Sequence, residues 1–292
     1  MTRIEEFGWR GAVEPGIGRV VSAHGDYYHL VCNETGGEIL ARKKKSAFIR
    51  MKSAAPVNMK GLKVSEVRAT APLQPITGDF VKFRFNAQGD SMILEVLPRS
   101  SHFERKDPTA RRTSQTLAVN FDTLFIMMSL NENFSTARIR RYLDLAKDMG
   151  EAEAVVVVTK VDLRQDGDEE FFDELREEVD GAARILEISS LTGEGMEQVD
   201  EYVKPGRTLA FIGSSGVGKS TLLNTLMGEE WQATQEIQEW SGKGRHTTTS
   251  RELVMLPSGA MIIDTPGIRE IGMLGEQDDL QAKGESTHRY RK

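Results

Sequence analysis

Gly213-Ser-Ser-Gly-Val-Gly-Lys-Ser220 is the stretch on which the reading of this chain turns. It follows an apolar run, Thr208-Leu-Ala-Phe-Ile212, and leads into Thr221-Leu-Leu-Asn-Thr-Leu-Met227, whose spacing is helical. A G-x-x-x-x-G-K-[ST] pattern set between strand and helix is the signature of a phosphate-binding loop. Its glycines let backbone N–H groups converge on phosphate oxygens, and the helix N-terminus behind them adds positive potential. Gly213, Ser214, Ser215, Gly216, Val217 and Gly218 form the expected cradle, with Thr221 beside it. Lys219 is expected to reach the β- and γ-phosphates, and the Ser220 hydroxyl to hold Mg²⁺.

Working outward, Asp264-Thr-Pro-Gly267 ends the apolar strand Ala260-Met-Ile-Ile263. An aspartate at the carboxyl end of a neighbouring strand is where a P-loop protein holds Mg²⁺, and Gly267 offers an N–H that no Cβ shields. Between the two phosphate motifs lies Gly242-Lys-Gly-Arg-His-Thr-Thr-Thr249. A threonine there suits a switch segment contacting Mg²⁺ and the γ-phosphate, and the register leaves Thr248 and Thr249 both open. On the other side, Thr159-Lys-Val-Asp162 follows the buried run Val155–Val158. It matches the guanine-reading N-K-x-D pattern with Thr159 in place of Asn. Asp162 is able to accept from the N1–H and the N2 amine of guanine together, and Lys160 to lay its stem along the base, with Val161 between them. Ser189 and Ser190, in Ile188-Ser-Ser-Leu191, take the place of a second base-contacting loop.

The framework around these motifs alternates. An apolar strand at 121–129, a helix at 135–149 with Ser135 as N-cap, a strand at 154–159, an acidic helix at 169–179 and strands at 184–188 and 208–212 follow one another. Such alternation makes βαβ units on a parallel sheet covered on both faces. Ligands bind at the carboxyl ends of strands in sheets of this kind. The base-reading motifs precede the phosphate loop, the reverse of the usual order, which predicts a circularly permuted α/β P-loop G domain.

The first part of the chain reads differently. Short β-branched and aromatic runs at 18–24, 27–32, 38–41, 80–85 and 92–97, broken by Gly, Asp and Asn, predict a small all-β barrel of OB type. The expected domains are a barrel at 1–100, a linker at 101–116, the permuted G domain at 117–274 and a polar, charged tail at 275–292. Residues 1–110 hold 17 Lys+Arg against 12 Asp+Glu, so the remainder holds 21 against 32 of the 38 and 44 in the chain. A basic first part beside an acidic second one places any polyanionic partner on the barrel, where Arg42-Lys-Lys-Lys45 is the candidate phosphate-contacting rim. The one cysteine, Cys32, excludes an internal disulfide framework. No apolar run approaches the ~18 residues of a membrane helix, and the polar, acidic start, MTRIEEFGWRG, is unlike a signal peptide. These features lead us to expect a cytoplasmic protein with no membrane partner.

Taken in order, Gly18-Arg-Val20, Ala118-Val-Asn-Phe-Asp-Thr-Leu-Phe-Ile126, T-K-V-D at 159–162, the phosphate loop, Gly244-Arg-His-Thr-Thr-Thr249 and Asp264-Thr-Pro-Gly-Ile-Arg-Glu270 resemble the small-ribosomal-subunit-dependent GTPase family (RsgA/YjeQ), over residues 17–272. The resemblance implies an OB-type barrel, GTP or GDP with Mg²⁺ as ligands, and GTP hydrolysis stimulated by the small ribosomal subunit. It also implies a role in late subunit maturation; we expect rRNA contact through the barrel and a monomer. On this resemblance Ser220, Thr249 and Asp264 are the expected Mg²⁺ ligands. Family members usually continue beyond D-T-P-G into a helical domain that holds zinc through cysteine and histidine. The stretch Gly275–Lys292 has no cysteine, so zinc is not expected in this chain. Ile268 follows Gly267 where many GTPases place a water-orienting glutamine. His246, as in similar family members, is the candidate that replaces it. The alternatives are an RNA-binding nucleotide switch with negligible turnover and an ATP-dependent kinase, the latter disfavoured by the guanine-type motif.

Overall fold

Turn residues every few positions break the first part of the chain into strands too short for anything but a small, strongly curved sheet. The computed structural model describes residues 1–43, 74–106, 114–130, 135–214, 216–228 and 251–264. They fall in two units, Met1–Arg99 and Ser100–Lys292.

In the first unit the strands are β1 (Ile17–His24), β2 (Tyr27–Cys32), β3 (Glu38–Lys43), β4 (Phe80–Arg84) and β5 (Ser91–Val96). Antiparallel pairing joins β1 to β2 and β4, β2 to β3 and β4 to β5, while β3 and β5 run parallel. The sheet therefore closes as β1-β2-β3-β5-β4-β1, the five-stranded OB arrangement. Val20, Tyr28, Leu30, Cys32, Ala41, Val81, Phe83 and Ile93 fill the interior. Burying side chains of this size stabilises by roughly 1.5–3 kcal/mol each against exposure. A helical turn, α1 (Arg3–Glu6), brings Ile4 against Ile17 and Phe80. Arg19 is buried among them and donates to Phe7 O at 2.6 Å, with its guanidinium 4.8 Å from the Phe80 ring centre. Asp79 is buried too and accepts from Arg99 Nε and Nη2 at 2.8 and 2.9 Å, a charge-assisted fork of the kind that makes a buried carboxylate tolerable.

In the second unit the elements are β6 (His102–Lys106), β7 (Ser114–Val119), β8 (Thr123–Ser129), α2 (Thr136–Ala146), β9 (Glu153–Thr159), α3 (Glu169–Val179), β10 (Arg184–Ile188), β11 (Thr208–Ile212), α4 (Lys219–Met227), β12 (Glu252–Met255) and β13 (Met261–Asp264). The sheet order is β10-β9-β8-β11-β13-β12, parallel except for the β12–β13 pair. All seven residues of β8 are buried, as a strand covered on both faces requires. Ser135 caps α2, its hydroxyl accepting from Arg138 N. One face of α2 buries Ile139, Tyr142, Leu143 and Ala146, the 3.6-residue period seen in the sequence. Phe125 of β8 stands edge-on to Tyr202 and Phe211, centroids 5.4 and 5.5 Å away. The order of strands is what brings β8, β9, β10, β11 and β13 to end on one edge.

The stretch 101–116 differs from the expected linker. It contributes β6 and the start of β7, which pair as an antiparallel hairpin. Phe103, Leu117, Ala118 and Val119 are buried, while the polar residues between Phe103 and Leu117 are what hid the pattern. Ser101 fixes the hairpin's entry: its hydroxyl donates to Phe121 O at 2.5 Å and accepts from Phe121 N at 2.8 Å.

Candidate nucleotide-binding site

β11 ends at Ile212 and the chain turns through the glycine-rich loop into α4. Gly213 is demanded by close packing, since a Cβ there would stand 2.6 Å from Met127 O and 3.1 Å from Val217 Cγ2. Gly218 caps α4 in the left-handed region at φ 89°, a conformation costly for any other residue. Val217 packs in the core, so the loop is pinned from beneath. The Lys219 ammonium lies against Gly213 O and Ser214 O, at 2.7 and 2.9 Å. Ser214 is buried, and its hydroxyl meets no hydrogen-bond partner among the described residues. A buried orphan hydroxyl is costly unless something fills the loop. Ser220 and Thr221 are exposed in the first turn of α4.

The T-K-V-D loop is tied directly to this cradle. Thr159, at the end of β9, is buried, and its Oγ1 lies 2.6 Å from Val217 O and 3.2 Å from Met128 O. One hydroxyl proton therefore links two neighbouring strand ends and the phosphate loop. This answers the replacement of Asn by Thr: the short side chain reaches the loop carbonyl because β9 delivers it there. Lys160 follows in the left-handed region (φ 61°), a local strain held by Leu163 N donating to its carbonyl at 3.0 Å. Val161 is buried beneath, and Asp162 sits exposed on the short turn Val161–Leu163.

Ser189, at the end of β10, orients that carboxylate. Its hydroxyl donates to Asp162 Oδ1 at 2.5 Å and accepts from Leu191 N and Thr192 N at 3.3 and 3.2 Å, so its donor and both lone pairs are used. Ser190 follows, and Thr225 of α4 donates to its carbonyl at 3.5 Å. Gly195 closes the loop, and a Cβ on it would lie 2.0 Å from Glu187 O. Glu187 pairs with Arg164, just past Asp162. The sequence reading missed Thr225, Glu187 and Arg164, which brace the base loops without carrying a motif. Asp264 ends β13 beside β11, opposite Glu252 in register. Ser215, His246, Thr248, Thr249 and Gly267 lie outside the described residues.

The arrangement brings a phosphate cradle and a fixed carboxylate to one sheet edge, joined by a threonine, with the base loops first in the chain. A protein-family model described as RsgA GTPase matches residues 96–274. A small ribosomal subunit biogenesis GTPase RsgA from Leptospira interrogans is 41% identical over 210 residues, covering 70% of this chain and 57% of that protein. RsgA 1 of Listeria monocytogenes is 35% identical over 270 residues, covering 92% of this chain and 70% of that one. The chain thus spans little more than half the length of the Leptospira relative. Among solved structures, YjeQ from Thermotoga maritima superposes with TM-score 0.59 at 27% identity, over 86% of this chain and 74% of that one. YloQ, a circularly permuted GTPase, shares the fold with TM-score 0.53 at 18% identity, over 88% and 74%. Motif order, strand order and similarity over most of the chain agree, and the protein belongs to the RsgA GTPase family.

Proposed function

We propose that this chain binds GTP at the carboxyl edge of the β8–β11 sheet and hydrolyses it as an assembly factor for the small ribosomal subunit. The reading includes action late in subunit maturation, in the cytoplasm, as a monomer, with rRNA meeting the barrel. The single observation that carries it is the Ser189–Asp162 hydrogen bond beside a phosphate loop to which Thr159 is bonded. A carboxylate held by one hydroxyl keeps its other oxygen and remaining lone pairs for a paired N–H donor, which guanine has and adenine lacks. The names of the relatives, as small ribosomal subunit biogenesis GTPases, support the choice of partner.

The residues present suit a triphosphate with Mg²⁺. The Ser214 hydroxyl, without a hydrogen-bond partner among the described residues, suits a cradle for phosphate oxygens, and the close packing of Gly213 against Met127 and Val217 holds the start of that loop in place. Ser220, Asp264 and a switch threonine, Thr248 or Thr249, would hold Mg²⁺, which when bound neutralises charge on the phosphates. Lys219 binds and orients the terminal phosphates. His246 is proposed to orient the attacking water in the place of the usual glutamine. The test is GTP turnover with and without purified small subunits. Slow turnover alone, strongly raised by subunits, supports the reading. Turnover that subunits leave unchanged overturns it, and GTP binding with negligible turnover in both arms returns the nucleotide-switch alternative.

A further inference from the structure

The two base loops are tied to each other twice, and only one of the ties touches the carboxylate. Ser189 donates to Asp162 Oδ1. Two residues before Ser189 and two after Asp162, Glu187 Oε2 accepts from Arg164 Nη2 in an ion pair.

This pair is held more firmly than an ordinary surface pair. The Arg164 guanidinium lies 4.1 Å from the ring centre of Phe172, which α3 buries in the core. The second Glu187 oxygen, Oε1, stands 3.5 Å from Arg176 Nη2 of α3. The side chains of Arg164 and Glu187 are only 34% and 28% exposed. A guanidinium with a ring against its face and a carboxylate on its edge has a fixed plane before any ligand arrives. The backbones on either side are fixed too. Arg164 N donates to Val161 O at 3.0 Å, closing the turn that carries Asp162. Gln198 Nε2 donates to Glu187 O at 3.2 Å, and strand register sets Glu187 beside Val158 of β9.

We propose that Arg164 and Glu187 are positioning residues for guanine recognition, their pair setting the angle at which the Asp162 turn stands against β10. The proposal rests on the guanine reading of Asp162 and adds what aims that carboxylate. A single hydrogen bond from Ser189 fixes a distance and leaves a pivot. Accepting from the N1–H and the N2 amine together demands a plane as well, because paired contacts are selective only when both are aligned. A second tie away from the pivot removes the rotation. Arg164 and Glu187 act through Asp162 and not on the base. An exposed ion pair adds little to stability, so the effect of this one belongs in base selectivity.

The experiment displaces a fluorescent GDP from the whole chain with GDP and with IDP, whose hypoxanthine lacks the N2 amine. The ratio of the two affinities reads the paired contact at Asp162. Arg164→Met keeps an apolar stem against Phe172 and loses the charge, so the ratio should fall about fivefold with the melting temperature nearly unchanged. Arg164→Lys keeps the charge and should retain more of the ratio. Glu187→Gln should lower it as Arg164→Met does, and the double variant should be no worse than either single, because both remove the same tie. A parent-like ratio in Arg164→Met, losses that add in the double variant, or equal weakening of GDP and IDP would each overturn the proposal alone. A parent that binds GDP and IDP alike would overturn the guanine reading of Asp162, and the proposal with it.

Discussion

Thr159→Val keeps the side-chain volume and removes one hydroxyl, from a position with 3% of its surface exposed. That hydroxyl sits 2.6 Å from Val217 O and 3.2 Å from Met128 O, so the variant takes the same donor from two carbonyls in one step. Val217 is itself buried, and water has little access to replace the bond. Removing a donor from a buried acceptor costs about 1–3 kcal/mol, against about 1 kcal/mol for an exposed one. The cost divides between two measurements. Where the phosphate loop stays in place the loss appears as a lower urea midpoint. Where the loop relaxes outward it appears as weaker GDP binding, by about tenfold for each 1.4 kcal/mol. Thr159→Ser keeps the hydroxyl and loses a methyl, about 0.8 kcal/mol of burial, so its GDP affinity should stay near the parent's. Titration with a fluorescent GDP and urea unfolding of all three proteins test this. A Val variant equal to the parent in both would show that Thr159 does not hold the loop.

Three further outcomes are expected. Asp162→Asn turns a paired acceptor into a group with only one acceptor oxygen and should relax guanine preference by a few kcal/mol, about a hundredfold or more. GDP binding as tight as the parent's would refute the base-loop assignment. Gly213→Ala forces a Cβ to 2.6 Å from Met127 O, a backbone atom in the central strand, so thermal unfolding should fall by the equivalent of about 1–3 kcal/mol or more. An unchanged melting temperature would contradict the packing described. His246→Ala, assayed with saturating small subunits, should lose stimulated kcat at unchanged GTP affinity, and full stimulated turnover would remove His246 from the mechanism.

What could be read in advance followed from locality. The phosphate loop is legible because glycine is dictated within a few residues: a tight turn, a left-handed cap at Gly218 and a helix start all lie in one short stretch. Most strands of both units are legible for a similar reason, since alternation or continuous apolar character is written along them. The hairpin of β6 and β7 escaped because the sequence between Phe103 and Leu117 is charged and polar and looks like a linker, although both of those residues are buried. The joining of the site escaped for a different reason. Thr159 and Val217 are 58 positions apart, and Asp162 and Ser189 are 27 apart. Nothing in either segment alone says that a threonine will meet the loop carbonyl. Only the order β10-β9-β8-β11-β13 sets those strand ends side by side. The same argument explains why cutting the chain elsewhere leaves the site intact. The two hydrogen bonds that join its parts, Thr159 to Val217 and Ser189 to Asp162, run between loops that follow different strands, and the connections moved by permutation lie outside those bonds.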